Sequence, residues 1–135
     1  MAHVTSIYSS DTLRGAYFLV VDGDKDRRMA LTGILRYCGA LVTPVETPPD
    51  ALAVMRLLKP DAVVVDFSRP NDAAASFIDA VRALAPEDGG TVPTVAISDD
   101  VTAEEDARDR GFDAQLSRPL NPWILCRVVS ELLTP

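Results

Sequence analysis

Histidine and cysteine are scarce in this 135-residue chain, and each scarcity closes off a class of function. His3 is the one histidine, so no histidine-based metal cluster or catalytic dyad can be assembled. The two cysteines, Cys38 and Cys126, fall inside helical patterns and read as reduced, core-type thiols of a cytoplasmic protein, not as a disulfide framework. Basic residues number 13 against 20 acidic ones, a net charge of −7, which argues against a nucleic-acid-binding surface. No apolar run approaches a membrane span: the longest, Ala16 to Val21, stops at Asp22. The first residues have neither a basic segment nor an apolar one, so no secretory signal is expected there. Hydrophobic residues make up 47% and charged ones 24%, which excludes disorder and fits one globular domain.

Residues 1–14 are polar and without pattern, and read as an N-terminal extension to a domain spanning 15–135. Short buried apolar runs then alternate with longer amphipathic ones. Tyr17–Val21 predicts a first strand and Asp26–Cys38 a helix, with Gly39 as its stop. Leu41–Val45 is a second strand. Thr47-Pro48 places a capping hydroxyl before a first-turn proline and opens a helix to about Leu58. Ala62–Val65 is apolar throughout, the mark of a strand covered on both faces. A helix over Asp72–Leu84 and a strand over Val92–Ile97 follow. Thr102 to Glu105 has the form of a capping box, for a helix that Gly111 ends; Ala114–Leu116 is a fifth strand, and Asn121-Pro122 opens a last helix to about Leu133. Five strands alternating with five helices predict an α/β fold, a doubly wound parallel sheet of flavodoxin-like order 2-1-3-4-5.

In such a sheet ligands bind beyond the carboxyl ends of the strands. The residues there are Asp22, Gly23 and Asp24 after the first strand, Asp66 after the third, Ser98 after the fourth and Arg118 after the fifth. Clustered carboxylates repel one another unless a cation sits among them, and oxygen donors suit a hard ion such as Mg²⁺. A carboxylate beside such an ion, with a hydroxyl and a fixed cation nearby, is suited to accepting a phosphoryl group. Asp66, ending a buried apolar run, has no ready structural reason to be acidic.

Val20-Val21-Asp22, Asp61 to Asp66 followed by Pro70, Ala96-Ile97-Ser98 and Ser117-Arg118-Pro119 resemble the four signatures of the response-regulator receiver domain, in the right order from about Tyr17 to Leu133. The resemblance implies a two-component signalling module, not an enzyme, that takes a phosphoryl group from a histidine kinase or phosphotransfer protein onto Asp66 with Mg²⁺. Ser98 then holds the switch-hydroxyl position and Arg118 the conserved-lysine position. The metal would rest on Asp22 and Asp66, with Asp24 either a third ligand or, as an acid there most often is, a helix cap. The implied partner surface is the face of the fourth helix, fifth strand and fifth helix, contacting an output protein or a second copy. On it Gln115 stands at the switch-aromatic position, and Trp123 and Ile124 lie beyond the inward stripe of the last helix. The match departs from the family at Gly23, where a second acid is usual, and at Arg118, a planar fork in place of a compact ammonium. Weak or absent Mg²⁺ binding is therefore expected, with Arg118 bonded to Asp66 in a bidentate pair. A phosphorylation-independent interaction module is the alternative. Asp22-Gly23-Asp24 also has the form of a phosphatase DxD, but Asp26 stands where that motif has Thr or Val and no lysine follows Ser98.

Overall fold

The computed structural model describes residues 12–68, 70–99 and 103–134, with backbone alone at 103–105. Strands β1 (Tyr17–Val21), β2 (Leu41–Val45), β3 (Ala62–Asp66), β4 (Thr94–Ser98) and β5 (Ala114–Ser117) alternate with helices α1 (Lys25–Tyr37), α2 (Pro48–Leu57), α3 (Asp72–Arg82), α4 (Ala103–Arg110) and α5 (Pro122–Leu133). The strands form one parallel sheet in the order 2-1-3-4-5, as the alternation predicts. This is the flavodoxin-like arrangement.

Side chains alternate across each strand and so divide the core into two layers. Leu19, Val21, Val63 and Val65 face Ala51 and Met55 of α2 and Phe77, Ile78 and Val81 of α3. Phe18, Val20, Val64, Val95 and Ile97 face Leu31 and Leu35 of α1 and Leu125 and Val129 of α5. Leu13, inside the expected extension, is buried in this second layer, and its N–H donates to Cys38 O at 2.7 Å. The packed structure therefore begins upstream of the boundary read from composition.

Local chemistry sets the element ends, and in places moves them from the expected positions. Asp24 caps α1, which consequently starts at Lys25. Gly39, at φ 97°, supplies the left-handed turn that stops that helix. Thr47 caps α2 by accepting from Asp50 N, and Asn121 caps α5 by accepting from Trp123 N and Ile124 N. β4 starts at Thr94 and not Val92, since Pro93 has no N–H for the ladder, although its carbonyl accepts from Val63 N at 2.9 Å. β5 runs one residue further than predicted because Ser117 pairs with Ser98. Thr102 of the expected capping box lies outside the described residues. Among the described residues no helix is long and apolar enough to cross a membrane.

Candidate functional site

The topology brings Asp22, Asp66, Ser98 and Arg118 together at the carboxyl edge of the central strands, because each follows or ends a strand whose neighbours are set by the 2-1-3-4-5 order. Asp22 is 2% exposed. An isolated carboxylate at that depth is costly, so its partners decide what the site is. Its Oδ1 accepts from Asp24 N at 2.8 Å and from Arg27 Nη2 at 3.1 Å; its Oδ2 accepts from Arg27 Nε and from Arg118 Nη2, each at 3.3 Å.

Asp66 is held by the same two arginines. Its Oδ2 accepts from Arg27 Nη2 at 3.1 Å, and its Oδ1 from Arg118 Nη1 and Ser68 N, each at 3.2 Å. The expected direct bond from Arg118 to Asp66 is present, but not as a bidentate fork on one acid. Arg118 spends one nitrogen on each carboxylate, because two buried-edge acids lie within the span of one guanidinium. Its Nη1 also donates to Ser68 Oγ at 2.9 Å and to Asp99 Oδ1 at 3.3 Å.

Arg27 is the functional residue that the sequence reading missed. A signal for it exists. Lys25, Arg27 and Arg28 crowd the first turns of α1, where the helix dipole disfavours cations. Two of the three are there to hold Asp22: Arg27 takes its carboxylate, and Arg28 Nη1 donates to its backbone carbonyl at 2.7 Å. Bonding to Asp22, reinforced by the charges of Asp22 and Asp66, raises the Arg27 pKa still further above neutrality.

The remaining expected residues divide. Asp24 serves as the cap of α1; its Oδ1 accepts from Arg27 N at 2.9 Å, and that backbone bond holds its pKa below the usual carboxylate range. Gly23 is not in the left-handed region, and a Cβ there would meet only Glu46 O at 3.8 Å, so glycine is not demanded by the backbone. Ser98 is buried at 1% exposure, and its Oγ accepts from Gln115 Nε2 at 3.0 Å. Gln115 also donates to Ser117 Oγ at 3.1 Å, so an amide ties the switch hydroxyl to β5 where an aromatic ring is usual. Trp123 and Ile124 are 61% and 41% exposed, as expected. Trp123, however, borders a groove between α5 and α1. The Arg118–Pro119 bond is cis.

A divalent ion on Asp22 and Asp66 needs carboxylate oxygens free to enter a near-octahedral shell. All four oxygens of the pair accept from a guanidinium, Gly23 brings no third carboxylate, and Asp24 serves as a cap. The residues as arranged therefore do not fit Mg²⁺; two fixed organic cations balance the two acids.

Comparison with known proteins agrees with this architecture. The chain is 34% identical over 123 residues to an uncharacterised 14.6 kDa protein of Leptolyngbya boryana, covering 89% of this chain and 92% of that one. It is 33% identical over 103 residues, or 76% of its own length, to a response regulator receiver protein of Anaeromyxobacter, of which it spans 42%. A curated relative and the solved structures that the chain resembles are response-regulator receivers, and the chain shares their fold. No protein-family model matches it. Among solved structures, chemotaxis response regulator CheY4 of Vibrio cholerae superposes with a TM-score of 0.76 at 21% identity, covering 88% of this chain and 98% of that one. The receiver domain of a Pseudomonas aeruginosa sensor histidine kinase does so with a TM-score of 0.76 at 24% identity over 88% and 98%. That neighbour carries a magnesium ion coordinated in its active-site cleft.

Proposed function

We propose that this receiver domain signals by protein contact without phosphorylation, its acid pair being neutralised by arginine and not by a metal. The observation that carries this reading is Arg27 Nη2, 3.1 Å from both Asp22 Oδ1 and Asp66 Oδ2. A carboxylate whose two oxygens each accept from a guanidinium is a weakened nucleophile, and a phosphodonor has to displace those groups before it can approach in line. Mg²⁺ meets the same obstacle, so divalent binding is weak or absent. No small-molecule turnover is assigned, and the domain is not an enzyme. A histidine kinase or phosphotransfer protein on the input side is then a docking partner and not a phosphodonor. On the output side the partner is another protein or a second copy, through the α4–β5–α5 face that carries Gln115 and Ile124.

A second reading keeps Asp66 as phosphoacceptor, and one observation favours it. The Arg27 and Asp66 side chains are 36% and 18% exposed, so Arg27 has room to swing outward. Incubation with acetyl phosphate and Mg²⁺ separates the two. Intact mass should show no phosphoryl group on the natural chain, whereas Gly23→Asp with Arg27→Ala and Arg118→Lys should gain one on Asp66. Stoichiometric, acid-labile phosphate on the natural chain, abolished by Asp66→Asn, overturns the first reading and establishes the second.

A further inference from the structure

Cys38 and Cys126 lie 88 residues apart in sequence, yet their sulfurs are 2.6 Å from each other. Cys38 is the C-cap of α1, and Cys126 lies in the second turn of α5. Both are free thiols, 2% and 1% exposed. The two are set face to face between α1 and α5, in the core layer that also holds Leu35 and Val129. The acid cleft does not use them. They also form part of the lining of a groove of about 620 Å³ between the two helices, together with Ile34, Tyr37, Pro122 and Trp123. Tyr37 and Trp123, 69% and 61% exposed, border that groove, which gives a small oxidant a route to the sulfurs.

We propose that Cys38 and Cys126 are a disulfide-forming pair, closed by a peroxide that enters the α1–α5 groove, and that the bond latches α1 to α5. The atoms balance simply. One thiol reduces hydrogen peroxide to water and becomes a sulfenic acid; the second sulfur attacks it, an S–S bond forms, the S–O bond breaks and a second water leaves. Two thiols and one peroxide become one disulfide and two waters, with two electrons passing from sulfur to oxygen. Burial pushes the Cys126 thiol up to about 12, so thiolate is scarce at neutral pH and closure is slow. The same burial screens the finished bond from attacking thiols. The pair is therefore a slow latch and not a rapid sensor. α1 carries Arg27 and α5 follows the Arg118–Pro119 segment, so the latch joins the helices that flank both cations of the acid cleft.

The test uses the reduced natural chain, treated under native conditions with hydrogen peroxide and then alkylated in denaturant. The expected product is monomeric, lighter by two hydrogens, resistant to alkylation at both cysteines and restored by a dithiol reductant. Its Tm should rise by roughly 10 °C, because the bond closes a long loop of the unfolded chain. Cys38→Ala and Cys126→Ala should each abolish the mass change and the oxidant-dependent rise in Tm. Two alkylatable thiols after peroxide, oxygen added without a cross-link, or a disulfide-linked dimer each overturns the proposal, and the natural chain alone suffices to show any of them.

Discussion

The two ends of the sheet each gather arginine, and they use it in opposite ways. At the amino end Arg82 leaves the last turn of α3 and donates to Gly111 O at 3.0 Å, Gly90 O at 3.0 Å and Val92 O at 2.8 Å. It also reaches Thr94 Oγ1 at 2.9 Å and Asp113 Oδ2 at 3.0 Å. Most of those acceptors are neutral groups of loops and strand starts, so this arginine ties backbone to backbone. At the carboxyl end Arg27 and Arg118 spend most of their bonds on carboxylates. A guanidinium among carbonyls makes a clamp. A guanidinium between two acids fills the place of a counter-ion, at the edge where receiver domains do their work.

The clamp should be the costlier of the two to remove. Arg82→Ala should cost roughly 3–4 kcal/mol in urea unfolding, since it leaves several partly buried acceptors short of a donor. A loss under about 1 kcal/mol would mean that water replaces the side chain and that the clamp is incidental. Arg118→Ala comes next, at about 3 kcal/mol, the low end for an uncovered buried charge, because Asp22 keeps Arg27 and the Asp24 amide. Arg118→Lys should be milder, retaining the charge but not the span to both acids. Equal losses for Ala and Lys would show that the two-acid bridge, not the charge, is what holds the cleft.

Arg27→Ala acts on the other cation of the acid pair. Its side chain is 36% exposed, so the stability cost should be only about 1 kcal/mol and should shrink with added salt. Its larger consequence is chemical, because it frees Asp66 Oδ2 and removes two of the four bonds on the Asp22 carboxylate. Calorimetry with Mg²⁺ should give no heat with the natural chain and measurable heat with Arg27→Ala plus Gly23→Asp. Heat from the natural chain would show that the arginines yield to the ion.

These effects also mark where sequence reading reaches and where it stops. Ala62–Val65 announced a strand covered on both sides, and Thr47-Pro48 and Asn121-Pro122 announced helix starts, because propensity and capping act over a few residues. Strand order then placed Asp22, Asp66, Ser98 and Arg118 at one edge without any knowledge of side-chain geometry. Arg27 escaped because its role depends on how a helical side chain leans back over its own N-terminus toward a neighbouring strand. The meeting of Cys38 and Cys126 escaped for a related reason: it depends on the register in which α1 packs against α5, which neither helix's own periodicity contains.

The smallest predicted effect concerns Asp24, and it separates capping from metal binding. The Arg27 amide donates to Asp24 Oδ1, and this bond, first among its causes, depresses the carboxyl pKa in the folded chain. A depressed folded pKa contributes stability that is present above the unfolded value, near 3.9, and is lost as pH falls through the folded one. Asparagine caps about as well as aspartate but cannot titrate. Asp24→Asn should therefore leave Tm almost unchanged at pH 7, apart from a slight loss of charge–dipole attraction, and should flatten the decline in stability below about pH 4. It should also leave Mg²⁺ calorimetry of the Arg27→Ala, Gly23→Asp background unaltered. If that background loses its heat on Asp24→Asn while Tm stays put, Asp24 is a ligand once the arginine is gone, and its cap is the resting use of a carboxylate that the cleft can reclaim.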